Sequence, residues 1–245
     1  MYKIKSTIEN SKKVSVIILS GGQGSRLQKY GVPKQFIEVA GSPLFVHCMN
    51  IYESLDEVDE IILVINEDFS ELYAKILQQY HFKKLSFLVY GGKFRHVSLR
   101  NGLAKVKHNG LVIIHNGVNP TTPMNLIRQC IQTAFEYGAV SAYVPAFHTV
   151  FENDNGQIDT VLERKRLGYT CDPQVFQISI LQNALSLDLQ VVHNDIPVID
   201  LVRRLGYNIK LVLSDEANLK VSTEIDLFTT EIILSKTKKD ESNTV

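Results

Sequence analysis

Cysteine is scarce and scattered. Cys48, Cys130 and Cys171 are the only three in 245 residues, and no two form a C-x-x-C pair. That spacing argues against a disulfide framework and against a zinc site, and it suits a reducing, cytoplasmic setting. No apolar run approaches the ~20 residues of a membrane span, so no transmembrane segment is expected. The opening MYKIKSTIENSKK is polar and basic rather than signal-like. Neither sign of charge is in excess: 26 basic and 26 acidic residues cancel, which removes the electrostatic footprint of a nucleic-acid binder. Any anion must then be held by local clusters. Internal repeats are absent, as is any low-complexity segment before the C-terminal end. At this length, with 44% apolar and 21% charged residues, the chain can bury the core of one sizeable α/β domain.

The informative stretch is VSVIILSGGQGSRLQKYGVPKQ at 14–35. Val16, Ile17, Ile18 and Leu19 form a continuous, β-branched run that reads as a strand buried on both faces. Ser20-Gly21-Gly22-Gln23-Gly24-Ser25-Arg26 comes immediately after it. Glycines and small hydroxyl residues there let backbone N–H groups wrap a polyanion, and Arg26 and Lys34 add two cations. The same residues also suit an ordinary tight strand-to-helix turn. The run completes neither a P-loop, since no Lys-Ser/Thr comes after Gly24, nor the G-x-G-x-x-G dinucleotide fingerprint.

Further along, helical spacing at 43–54 and 69–80 alternates with buried-strand patterns at 58–65, 85–89, 111–115 and 140–144. That rhythm predicts a Rossmann-like, mostly parallel sheet with helices on both faces, and ligands bound at the carboxyl ends of the strands. After the third strand come Gly91 and Gly92. Arg95, Ser98 and Asn101 then recur at helical spacing, so a cation and two hydrogen-bonding side chains share one face at a helix start. A solvated helix face is the plainer alternative. Asn153-Asp154-Asn155-Gly156 is a hairpin turn between 149–152 and 157–162, so this segment leaves the main sheet as a β-arm. A late strand is expected at 207–213, and a helix start at Ser222-Thr223-Glu224. The expected organisation is one domain over 1–235, an arm at about 146–170, and a flexible tail over 236–245.

The Gly-Gly-x-Gly-Ser-Arg-Leu run, with Pro33-Lys34-Gln35-Phe36 after it, resembles the signature of the methylerythritol-phosphate and ribitol-5-phosphate cytidylyltransferases. Gly91-Gly92-x-x-Arg95-x-x-Ser98-x-x-Asn101-Gly102 is similar to that family's second motif, and Asn218, Lys220, Ser222 (or Thr223), Asp226 and Leu227 to its last. The resemblance implies transfer of a cytidylyl group from CTP to a polyol or sugar phosphate, with release of pyrophosphate. It implies Arg26, Lys34 and Lys220 as the catalytic cations. Nucleotide contacts would come from Ser20, Gly21, Gly22, Gly24, Gly91, Gly92, Arg95, Ser98 and Asn116. Asn119, Thr149 and Arg164 would hold the acceptor, and Mg2+ would bind mainly through phosphates, with Asn116 as one protein contact. A homodimer through the β-arm is implied, with neither nucleic acid nor membrane as a partner.

Four positions depart from the family pattern. Asn116 and Asn119 replace the Asp and Arg of His-Asp-x-x-Arg-Pro, His148 stands in the Asp-Thr pair, and Asp172 replaces the Thr of Thr-Pro-Gln. His193-Asn194-Asp195 falls where the family has Thr-Asp-Asp and keeps only Asp195 of it. These departures fall on the acceptor side, which points to a ribitol-5-phosphate-type acceptor of cell-surface polymer synthesis. The alternatives are methylerythritol phosphate, as in isoprenoid synthesis, and a catalytically weak nucleotide-binding homologue.

Overall fold

In the computed structural model, which describes residues 12–22, 25–187 and 196–242, the run around Ile17 lies at the middle of everything. Strand β1 (Val14–Leu19) has Val14, Val16, Ile17 and Ile18 at no more than 1% exposure. Burying each contributes roughly 1.5–3 kcal/mol, so these four side chains together rival the ~5–15 kcal/mol net stability of a whole domain. Such a strand has to be covered on both faces and paired on both edges. It pairs in parallel with β4 (Glu60–Ile65) on one side and β6 (Leu111–Asn116) on the other, with Ile17 level with Ile62 and Ile114.

The intervening elements supply the cover. Short β2 (Glu38–Val39) and β3 (Ser42–Pro43) pair with each other and lead into α1 (Leu44–Glu53). Helix α2 (Ser70–Leu77) precedes β5 (Leu85–Tyr90), and α3 (Arg95–Leu103) comes after it. Helix α4 (Met124–Tyr137) begins after Pro123 and ends at Gly138, leading into β7 (Ala139–Pro145). Along β1 the side chains alternate. Val16 and Ile18 pack with Phe45, Met49 and Tyr73 of α1 and α2 and with Ile127 of α4, while Ile17 packs with Leu99 and Leu103 of α3 on the opposite face.

Next come β8 (Phe151–Asp154) and β9 (Gln157–Val161), then β10 (Gly168–Gln177), α5 (Ile178–Ser186), α6 (Val198–Arg204), β11 (Lys210–Leu213) and α7 (Glu224–Ser242). The sheet order is β11-β7-β10-β6-β1-β4-β5. The mostly parallel α/β sheet expected from the sequence is present, with one element unforeseen: β10 lies between β6 and β7, antiparallel to both. Its Asp-Pro pair hid it, because Pro173 has no N–H to give a ladder, and the register with β7 shifts between Cys171 and Gln174. Strands β8 and β9 pair only with each other, through a turn at Asn155 (φ 48°) and Gly156 (φ 83°), and all their residues are exposed.

Two further expectations need correction or restriction. Residues 236–242 continue α7 rather than forming a tail, because Lys, Glu and Ser tolerate a helix well enough to extend one already started. Gly24, His193, Asn194, Asp195 and residues 243–245 lie outside the described residues.

Candidate functional site

The loops at the carboxyl ends of β1, β4, β5 and β6 are stitched to their neighbours. Ser20 N–H donates to the Val64 carbonyl (2.8 Å), Gly91 N–H to Ile65 (2.8 Å), and Gly117 N–H to Leu19 (2.9 Å). Gly117 has to be glycine: a Cβ there would stand 2.8 Å from Ser20 Oγ and 2.9 Å from its Cβ. Between these loops opens a cleft of about 790 Å³. Its position is where open α/β sheets bind ligands, outside the strand ends.

The floor is anchored from below. Tyr73 of α2 is fully buried, with its hydroxyl 2.6 Å from the Ser20 carbonyl and 2.8 Å from Ser20 Oγ. Its ring lies 4.6 Å from Phe36 and 5.0 Å from Phe45 between centroids, so the hydroxyl is delivered by a packed aromatic cluster. Burial raises the phenol's pKa, and the group stays a neutral donor.

Charge lines the cleft unevenly. Among the described residues, Lys34, Lys93, Arg95 and Lys220 stand on it against Glu67 and Asp68, a balance that favours a polyanion. Lys34 and Lys220 come from distant parts of the chain but meet because Lys34 Nζ donates to the Val221 carbonyl (3.1 Å). Helix α3 starts at the cleft, which Arg95 and Ser98 of its first turns line together with Gly91 and Gly92.

Beneath Asn116 runs a buried polar network. Asp172, 3% exposed, receives both the Asn116 backbone N–H and Asn116 Nδ2 on its Oδ2, each at 2.7 Å. The Asp172 carbonyl accepts from Asn218 Nδ2 (2.6 Å), and Asn218 Oδ1 accepts from the Thr122 hydroxyl (2.8 Å), which contacts His115 Nε2 at 3.0 Å. Burial holds the His115 imidazole below its ordinary pKa, against the opposing pull of Asp172. Cys48 Sγ donates to the Asn116 carbonyl (3.6 Å), and burial pushes that thiol's pKa well up.

Of the residues singled out from the sequence, Ser20, Gly21, Gly22, Lys34, Gly91, Gly92, Arg95, Ser98, Asn116 and Lys220 all line this cleft. Several do other work than expected. Ser98 Oγ accepts from the Gly92 N–H (3.0 Å) and Asn101 Nδ2 donates to the Tyr90 carbonyl (3.0 Å), so both shape the loop from within. Asn119, expected on the acceptor side, is 2% exposed and does not line the cleft; its backbone N–H donates to the Asn116 carbonyl (3.2 Å). Thr149 and Arg164 are exposed at the base of the arm, outside the cleft, and Arg164 Nη1 donates to the Phe147 carbonyl (3.0 Å). Arg26 lies in the 3₁₀ segment Ser25–Tyr30, just past the glycine-rich loop. Sequence reasoning missed Tyr73 and the carboxylate role of Asp172. Spacing gave no signal for the first, and for the second the only signal was an acid immediately before a proline.

Comparison with known proteins gives one answer. The family model "IspD: 2-C-methyl-D-erythritol 4-phosphate cytidylyltransferase" matches residues 14–236. The 2-C-methyl-D-erythritol 4-phosphate cytidylyltransferase of Syntrophus aciditrophicus is 34% identical over 227 residues, covering 91% of this chain and 97% of that one. That of Bacillus licheniformis is 33% identical over 229 residues, covering 92% and 97%. The crystal structure of 4-diphosphocytidyl-2C-methyl-D-erythritol synthase from Anaerococcus prevotii shares the fold, with a TM-score of 0.79 at 24% identity over 94% of this chain and 99% of that one.

Proposed function

The chain belongs to the 2-C-methyl-D-erythritol 4-phosphate cytidylyltransferase family and is a nucleotidyltransferase, and from that premise we propose that it joins CTP to 2-C-methyl-D-erythritol 4-phosphate. The observation that carries this reading is the cationic cleft at four strand ends, built by motifs of a family matched from residue 14 to 236. The curated relatives support this acceptor over the ribitol 5-phosphate expected from the four departures.

In the proposed reaction an acceptor phosphate oxygen attacks the α-phosphorus of CTP. A P–O bond forms, the bond to the β-phosphate breaks, and pyrophosphate leaves with the electron pair. The site then has to hold two anions together and stabilise charge that grows on the leaving group. Lys34 and Arg26 serve the triphosphate and the departing pyrophosphate in this scheme, and Lys220 the α-phosphate. The Ser20–Gly22 and Gly91–Gly92 backbone, Gly24, Arg95 and Asn116 serve the nucleoside and phosphates.

A divalent cation such as Mg2+ fits this cleft as a companion of the phosphates. Among the described residues no three His, Cys, Asp or Glu side chains stand together to hold a metal, while Asn116 offers one amide oxygen on the cleft. Bound there, the ion would neutralise phosphate charge.

The exposed arm supports a homodimer. Phe151, Ile158 and Val161 are 47%, 60% and 59% exposed on it, and a second subunit covering them would bring Thr149 and Arg164 toward an acceptor. No helix among the described residues is long and apolar enough to cross a membrane, and the free thiols of Cys48, Cys130 and Cys171 suit the cytoplasm.

The test is pyrophosphate release with CTP or UTP against methylerythritol 4-phosphate, ribitol 5-phosphate and glycerol 3-phosphate. Turnover with CTP and methylerythritol 4-phosphate is expected. Turnover with ribitol 5-phosphate alone would overturn the acceptor, and CTP binding without any turnover would make the chain a binding homologue.

A further inference from the structure

Asn116 and Asp172 are oriented as a pair. Asn116 ends β6 and lines the cleft, whereas Asp172 lies behind it in β10, 3% exposed and outside the cleft lining. Both donors of Asn116, its backbone N–H and Nδ2, converge at 2.7 Å on the same carboxylate oxygen. An ionised carboxylate only accepts hydrogen bonds. The amide nitrogen therefore has to face Asp172, since the flipped amide would set two acceptor oxygens against each other. The backbone N–H pins that carboxylate oxygen, and Asn218 Nδ2 at 2.6 Å from the Asp172 carbonyl holds the other end of the residue. On the Asn116 side, the backbone carbonyl accepts from Asn119 N–H (3.2 Å) and Cys48 Sγ (3.6 Å), which fixes the main chain from which the amide projects.

We propose that Asp172 is a positioning residue: it holds Asn116 with the amide oxygen turned to the cleft, so the site presents a neutral acceptor there and keeps its negative charge one residue behind, out of reach of the substrate. The proposal rests on the cytidylyl-transfer reading for its ligand. In a cleft lined by four cations for a polyanion, a neutral oxygen accepts from a substrate hydroxyl or a hydrated cation without repelling phosphate. A carboxylate in its place would repel the phosphates and compete with them for the same cations.

Asn116→Asp is where this pairing and motif reasoning part company. Judged by resemblance, the change restores an acid. In this structure it sets two carboxylates at hydrogen-bond distance with one backbone N–H between them, and like charges that close disfavour each other strongly. Asp172→Asn in the same chain removes the like-charge conflict; because both donors of Asn116 share one oxygen of residue 172, the new amide has to turn about its own side-chain bond to give its nitrogen to the acid and its oxygen to the backbone N–H.

The experiment is a four-protein cycle: wild type, Asn116→Asp, Asp172→Asn and the double variant. It is read as kcat and KM with CTP and methylerythritol 4-phosphate, with CTP affinity by calorimetry in parallel. Asn116→Asp alone is expected to lower kcat/KM by about tenfold or more, and the double variant to regain most of that loss. Losses that multiply in the double variant would overturn the proposal. A second pair separates positioning from plain structural support. Asp172→Ala is expected to lower turnover in the wild-type background and to add nothing in an Asn116→Ala background, while lowering the thermal midpoint in both. An equal loss of turnover in both backgrounds would make Asp172 merely structural. If wild type fails to turn over this acceptor, the cytidylyl-transfer reading is what fails, and the cycle is then decided by CTP affinity alone.

Discussion

Replacing Tyr73 by Phe removes one oxygen and nothing else from the aromatic cluster under the cleft. The ring keeps its contacts with Phe36 and Phe45, so no cavity larger than a hydroxyl opens. What changes is Ser20. It is 2% exposed, and its carbonyl and hydroxyl lie 2.6 and 2.8 Å from the Tyr73 hydroxyl. A buried acceptor that loses its donor costs about 1–3 kcal/mol, more than the ~0.5–1.5 kcal/mol net worth of an average hydrogen bond, because water cannot replace the partner. In a protein of this size a loss near 1 kcal/mol shifts Tm by about 2–4 °C, so Tyr73→Phe is expected to melt several degrees below wild type. Urea unfolding would give the free energy with the m-value unchanged. The proposed function is expected to be affected through the same atom. Ser20 opens the glycine-rich loop, and in the proposed reaction that loop serves the nucleotide in ground state and transition state alike, so a loosened loop is expected to raise KM for CTP more than it lowers kcat. Unchanged stability together with unchanged KM would refute the claim that α2 holds the loop through this hydroxyl.

Lys220→Met is expected to lower kcat by about 10²–10³-fold, the usual loss of one preorganised charge, with thermal stability nearly unchanged because the side chain faces the cleft; an intact kcat would remove it from the reaction. Burial lowers the pKa of both His108 and His115 below their ordinary 6.5. The unfolded chain then takes up these protons first as pH falls, so stability is complete above about pH 6.5 and declines from there down through the folded-state values, which urea midpoints at about pH 8 and about pH 5.5 would measure. Equal midpoints would contradict the burial assigned to both rings. Ile158→Glu with Val161→Glu, both on the exposed arm, is expected to convert a dimer to monomer in sedimentation velocity; a wild-type monomer would remove the arm's proposed partner. Gly117→Ala is expected to cost about 1–3 kcal/mol through the 2.8 Å approach to Ser20 Oγ, and a wild-type midpoint would show that the loop yields.

The parallel half of the fold was legible because its strands carry their own evidence. Val16–Leu19, Ile61–Ile65 and Leu111–Ile114 are continuous apolar runs, and only burial on both faces makes such runs soluble. The glycine-rich loop was legible for a related reason: in an open α/β sheet the chain leaving the carboxyl end of a buried strand forms the ligand-binding edge. Strand β10 was not. Its first half is exposed and its middle is Asp-Pro, so neither alternation nor an apolar run marks it, and its place between β6 and β7 is fixed by partners distant in sequence.

That missed strand also explains why the acid of the site was misplaced. Taken residue by residue, Asn116 looks like a lost charge and Asp172 like a degraded motif position. Antiparallel pairing of β10 with β6 brings the two side by side, and the carboxylate then stands 2.7 Å from both donors of Asn116. The negative charge beside the end of β6 therefore stands in the layer beneath the cleft rather than on its surface. Linear motifs cannot register such a placement, because the two positions are 56 residues apart and share no pattern. The physical constraint is nonetheless strict: a buried carboxylate needs donors, and in this fold the nearest are the backbone and amide of Asn116. A substitution at either position is thus a substitution in a pair, and the activity of one variant has no meaning until the other residue is stated.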